Sequence, residues 1–171
     1  MRNFKVGLMI LAISLIYLAT ATAGEGKAWF DMENCAFCKN LADQPGLMEN
    51  FAKWEHHNVK NGSLSISEIN KDYVDAYKKA MAGMEATAKK AQAGEQLQMC
   101  GYCEGFGGLM MKGVQFDEVQ SGNTFVSISW SSDSEVVKAI HAHTDRTNDE
   151  MKKMEEIEKK KEMKGHEGHG H

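Results

Sequence analysis

Several signatures are missing from this chain, and each absence removes a class of function. Neither CxxC is followed by histidine, because residues 39 and 104 are Lys and Glu, so a c-type haem attachment is excluded. No GxSxG, HExxH or phosphate-binding loop occurs, and no other constellation of catalytic residues stands out. Aromatic residues make up 8% of the chain and the formal net charge is −4, a poor match to a nucleic-acid footprint. The longest apolar run, Val6 to Leu18, falls short of the ~20 residues a membrane span needs. Proline occurs once, at Pro45.

The apolar run has another use. Arg2 and Lys5 precede it, and Ala21-Thr22-Ala23 comes after it with the small-x-small pattern of a signal-peptidase site. Residues 1–23 therefore read as a signal peptide, with cleavage after Ala23 and a periplasmic or secreted location. The alternative is a retained anchor. Cleavage removes Arg2 and Lys5, taking the formal charge from −4 to −6, and leaves no integral membrane segment. Residues 24–164 are long enough for one domain with one core, and residues 165–171 form a His-rich tail expected to be disordered.

The chain has four cysteines, all in Cys35-Ala36-Phe37-Cys38 and Cys100-Gly101-Tyr102-Cys103, an offset of 65. The residues after each motif repeat at an offset of 62: Gly46-Leu47-Met48 with Gly108-Leu109-Met110, Asn61 with Asn123, Ser65-Ile66-Ser67 with Ser127-Ile128-Ser129, Val74 with Val136. Trp54 falls on Phe116, Glu55 on Asp117 and Leu64 on Val126. The chain reads as one unit written twice, residues 33–94 and 98–157, after a short leader from Gly24 to Met32.

Each unit reads as CxxC, hairpin and helix. In the first, Lys53 to Val59 and Ser63 to Ile69 flank Lys60-Asn61-Gly62, a hairpin signal. Leu64, Ile66 and Ile69 are expected to face the core, with Ser63, Ser65 and Ser67 outward. Asn70 is the expected cap of a helix whose apolar positions run from Tyr73 to Ala91, with Gly94 as its stop. In the second, Val114 to Val119 and Thr124 to Trp130 are strands, and Ser132-Asp133-Ser134-Glu135 reads as a capping box. It opens a long helix whose charged end, Glu155 to Lys164, projects into solvent. Two hairpins and two helices make an α+β two-layer sandwich: a four-stranded antiparallel sheet with helices on one face and a pseudo-twofold axis between the units.

Two CxxC pairs can supply the four thiolates that zinc wants, so Cys35, Cys38, Cys100 and Cys103 are the candidate metal ligands. Asn40 and Gly105, two residues past each second cysteine, suit the left-handed turn of a zinc knuckle. Structural disulfides are the alternative for an exported chain, with three possible pairings. A dithiol redox site is the other. Cys-Gly-Tyr-Cys looks like an oxidoreductase motif, but a thioredoxin-type site also needs a distant cis-proline and a helix after its CxxC, which Gly105, Gly107 and Gly108 are expected to interrupt.

The accessory candidates are softer. His166, His169 and His171 form a flexible imidazole cluster able to collect copper, nickel or zinc. Met99, Met110 and Met111 flank the second cysteine pair, as soft copper ligands or as packing; Met81 and Met84 are core filler. His56, His57, His141 and His143 read as satisfied or exposed side chains. Glu55 and Asp117 read as surface positions, and Tyr73, Tyr77 and Trp130 as core. Composition names no protein partner; the partner expected is a metal ion.

Overall fold

The computed structural model describes residues 27–166, so the expected signal segment and residues 167–171 lie outside it. The described residues form four α-helices and four strands: α1 (Lys39–Ala42), β1 (Phe51–Val59), β2 (Gly62–Ile69), α2 (Val74–Gln92), α3 (Gly101–Met111), β3 (Gln115–Ser121), β4 (Thr124–Trp130) and α4 (Ser134–His166). The strands form one antiparallel sheet in the order β1-β2-β4-β3. The expected α+β sandwich is what the chain adopts. Among the described residues no helix is long and apolar enough to cross a membrane.

The register obeys the sequence offset. Glu55 pairs with Ile66 in the first hairpin, and Asp117 with Ile128 in the second, 62 residues later in each strand. Where the hairpins meet, Ser65 pairs with Ser127, a residue with its own counterpart. Both hairpins close through two residues, Lys60-Asn61 and Gly122-Asn123, with Gly122 at φ +60°. Gly62 is not in its loop as expected. It starts β2, where a side chain would collide with the Ser129 carbonyl of β4.

The faces of the sheet are the reverse of the expected ones. Phe116, Ser67 and Phe125 turn toward the helices: Tyr77 of α2 stacks on Phe125 (4.4 Å), and Phe106 of α3 meets Phe116 (5.9 Å). Asn58 donates to Asp145 of α4 at 2.8 Å. Alternation then puts Ser63, Ser65, Ser67 and Ser129 under the helices, and Leu64, Ile66, Val126 and Ile128 on the helix-free face. The serines leave shallow room in which large side chains from the helix layer can reach the sheet. Ile69 lies on the helix side and is fully buried with Leu47, Tyr77, Ala80 and Phe125; a second cluster joins Leu109, Val114 and Ile140. Burying a side chain such as Ile140 contributes about 1.5–3 kcal/mol. On the open face a shallow depression is lined by Val59, Asn61, Ile128 and Trp130, so Trp130 is not core.

Helix ends also differ in detail. Asn70 does not cap α2; its amide donates to Asn50 Oδ1 at 2.7 Å, and a 3-10 turn over Lys71–Tyr73 leads into the helix. The α4 cap is Asp133, whose Oδ1 accepts from the Glu135 N–H at 2.8 Å. Gly94 ends α2 at φ +89° as expected. Met81 packs on the α2 core, as expected.

Candidate metal centre

The first CxxC is held before any helix begins. Asp31 Oδ1 accepts from the backbone of Glu33 (3.1 Å) and Asn34 (2.8 Å), folding the leader into a turn. Its carboxyl is held below the usual range chiefly by the Asn34 backbone N–H. The Cys35 N–H then donates to the Asp31 carbonyl, and the Ala36 N–H to the Gln98 carbonyl at 2.9 Å, which ties this motif to the segment before the second one. Cys38 stands at the head of α1.

The second CxxC opens α3, with Cys100 in extended conformation as its N-cap. The Gly101 and Tyr102 N–H groups, which no carbonyl of α3 can satisfy, donate to Ala28 (3.0 Å) and Trp29 (2.9 Å) of the leader. In each motif the second cysteine's backbone N–H adds a small contribution that favours the first cysteine's thiolate.

Asn40 and Gly105 serve these motifs, though not through a left-handed turn, since both are helical. The Asn40 amide donates to the Ala36 and Phe37 carbonyls, each at 3.0 Å, and so closes the loop from inside. Gly105 admits a neighbour: a Cβ there would stand 2.9 Å from Nδ1 of His143. The glycines do not break the helix after Cys103 either, because α3 gains its stability from packing on α4.

The four sulfurs converge. Cys38 Sγ lies 3.6 Å from both Cys100 Sγ and Cys103 Sγ, and all four sulfurs lie within 4.8 Å of one another. Zinc–sulfur bonds of about 2.3 Å put the sulfurs of a tetrahedral site about 3.8 Å apart, so this cradle fits such an ion. Cys35, Cys38 and Cys100 are buried, and Cys103 is partly open to solvent. Met32, Phe37 and Tyr102 pack around them. The thiols share protons: hydrogen bonding from Cys100 holds Cys35 well below the usual thiol range, and Cys103 holds Cys100 at about 6. Cys38 and Cys103 are pushed up, each chiefly by Cys100. Four cysteines this close can bind a metal ion. No family model matches the chain, and neither a curated protein nor a solved structure matches it.

The other candidates separate clearly. His57 is exposed and 3.2 Å from Glu55, and His141 Nε2 donates to the Val59 and Gly62 carbonyls at 2.9 and 3.0 Å. These two are the satisfied or exposed histidines expected. His56 and His143 are not. Both turn into the space between sheet and helices, each with a buried Nε2 that has no partner. Burial is the main cause that lowers both to about 4, so both are neutral at physiological pH. Met110 and Met111 are exposed at the far end of α3, away from the sulfurs. Met32 packs against the cysteines. His166 is the last residue of α4, while His169 and His171 lie outside the described residues.

The leader is what sequence reasoning missed. Trp29 is buried, with Arg146 4.2 Å above its ring and His143 at 5.1 Å. Its signal was there: an Ala-Trp-Phe run ahead of Asp31 is apolar enough to be buried.

Proposed function

We propose that this is an exported metal-binding protein in which Cys35, Cys38, Cys100 and Cys103 hold zinc and clasp the two halves of the fold. The observation that carries this is the convergence of four sulfurs from segments 65 residues apart. Bound zinc would join the leader, α1 and α3 at one corner, chiefly as a structural ion. The tail histidines His166, His169 and His171 collect metal ions such as copper or zinc. The signal segment supports export to the periplasm or beyond.

A redox dithiol is the competing function, and the exposure of the sulfurs speaks against it. A reactive cysteine is both accessible and low in pKa. Here the two low thiols, Cys35 and Cys100, are 0% and 1% exposed, while the accessible one, Cys103, is pushed up. The deciding experiment is metal content together with a thiol count on protein exported by its own signal. One zinc with four titratable thiols after chelation supports the metal centre. No metal and no free thiols would sink it in favour of disulfides.

A further inference from the structure

The open face of the sheet has the wrong chemistry for water. A solvated antiparallel face is ordinarily polar. Here the serines of β2 and β4 lie under the helices, and Leu64, Ile66, Val126 and Ile128 lie on the helix-free side. Val119 of β3 pairs with Val126 and extends this surface, 63% exposed. The register sets the face out in rows across the strands. One row is Val59, Gly62, Trp130 and Gln115, and the next is His57, Leu64, Ile128 and Asp117. Beside the first row lies a depression of about 320 Å³ between Val59, Asn61, Ile128 and Trp130. The second row ends in an imidazole on β1 and a carboxylate on β3, both exposed. Among the described residues Asp117 makes no ion pair, and its Oδ1 accepts from the Glu118 N–H at 2.8 Å.

We propose that this face is a homodimer interface, covered by the same face of a second copy of the chain. The face is complementary to itself, which an isologous contact requires. Take a twofold that runs parallel to the strands, above the seam between β2 and β4. It lays β1 of one copy over β3 of the other and β2 over β4, and each row keeps its level. Leu64 then stacks on the second copy's Ile128, and Ile66 on its Val126. Trp130 comes down at the second copy's depression, and His57 meets its Asp117 at both edges. A twofold across the strands matches neither, since it sets Trp130 against Thr124 and Asp117 against Val119. One rotation that seats an indole in a hollow and joins imidazole to carboxylate favours a second copy over a different protein. Aligned sheets pack in this way about 10 Å apart. Four strands about 4.8 Å apart, each of about seven residues, cover about 450 Å² in projection. A standard stable interface has about 800 Å² per partner, so the dimer forms at micromolar concentration and is not obligate.

The interface goes beyond the zinc reading and stands without it, because no cysteine lies on this face. The test is sedimentation velocity of the exported protein from about 1 to about 200 μM. A reversible monomer–dimer equilibrium is expected within that range. Ile128→Lys should abolish the dimer while the circular dichroism stays that of the parent. If I128K does not fold, the edge pair carries the test. D117K sets an ammonium against His57 and should weaken the dimer about tenfold. Adding H57D to it reverses both ends of the pair and should restore the affinity. A monomer at every concentration overturns the proposal and leaves the face to a different protein. A dimer indifferent to I128K, or one that the double exchange does not restore, overturns it as well, whatever the cysteines hold.

Discussion

Ser65 of β2 pairs with Ser127 of β4, and those two residues are separated by the same 62 positions that relate the hairpins. The pair lies where the two hairpins join, in the β2–β4 ladder. The neighbouring pairs agree: Leu64 with Ile128 and Ile66 with Val126 exchange under the same offset. The helix layer does not keep the relation. α1 has 4 residues where α3 has 11, and the offset slips from 62 to 65 between Gly46 and Cys38, where the first half turns through Pro45-Gly46. The two hairpins join edge to edge through β2 and β4, while the leader and the Ala36–Gln98 bond tie the two CxxC motifs together.

Metal removal is expected to open one corner and leave the rest. Structural zinc contributes on the order of 10 kcal/mol in small domains, and the corner has little else, since α1 is a single turn. The clusters around Ile69 and Ile140 do not involve the cysteines. Hydrogen exchange after chelation should therefore lose protection over residues 27–42 and 100–111 while β2 and β4 keep theirs. Cys38→Ser should do the same, since Cys38 faces two other sulfurs. Unchanged protection over residues 27–42 would contradict a metal clasp.

Much of this was legible in the sequence, for identifiable reasons. Strand and helix positions came from turn chemistry at Asn61 and Gly122 and from helical spacing after Tyr73. The cysteine site came from the repeat. Which face of the sheet is inside was not legible. Ser-Leu-Ser-Ile-Ser alternates cleanly, and the apolar-inside rule picks the wrong side. What overrides it is volume: Tyr77, Tyr102, His143 and Trp29 fill the helix side, and the serines of β2 and β4 leave room for them beside Phe125 and His56. His56 and His143 were hidden for the same reason, as their burial depends on Gly105 and on the leader.

Stability should fall as pH drops from about 6.5 toward 4. His56 and His143 are lowered in the folded chain to about 4, mainly by burial. The unfolded chain binds protons at about 6.5, so acid favours unfolding across that window, and the stabilisation is fully present only above it. Each histidine accounts for up to about 3 kcal/mol at the acid end. Urea unfolding at pH 7 and pH 5 measures this. H56Q and H143Q should each flatten the dependence.

Two glycines of α3 should respond in opposite directions. Gly107 has nothing within 4 Å of a built Cβ, so Gly107→Ala should stabilise by about 0.5–1 kcal/mol through helix propensity. Gly105→Ala gains the same propensity but drives a methyl into His143. It should cost about 1–3 kcal/mol net, as overpacking does, and shift the His143 ring signals. Thermal melts of the pair decide it. If both variants stabilise alike, His143 does not depend on the glycine.

The start of α4 offers a sharper check on how its sequence is used. Ser132 and Glu135 look like a capping box, yet Asp133 accepts from both Glu135 (2.8 Å) and Val136 (3.4 Å). The carboxylate also lies at the positive end of the helix dipole. Asp133→Ala should therefore cost about 1 kcal/mol, and more at low salt. Ser132→Ala should cost only a few tenths, because the hydroxyl is not the cap. The ordering, read from denaturant midpoints at equal slope, is the discriminating result: a larger loss for Ser132→Ala would restore the box. The cap matters to the site because α4 carries His143, Arg146 and Thr147 on one side, and a frayed first turn would loosen Ile140 just ahead of them.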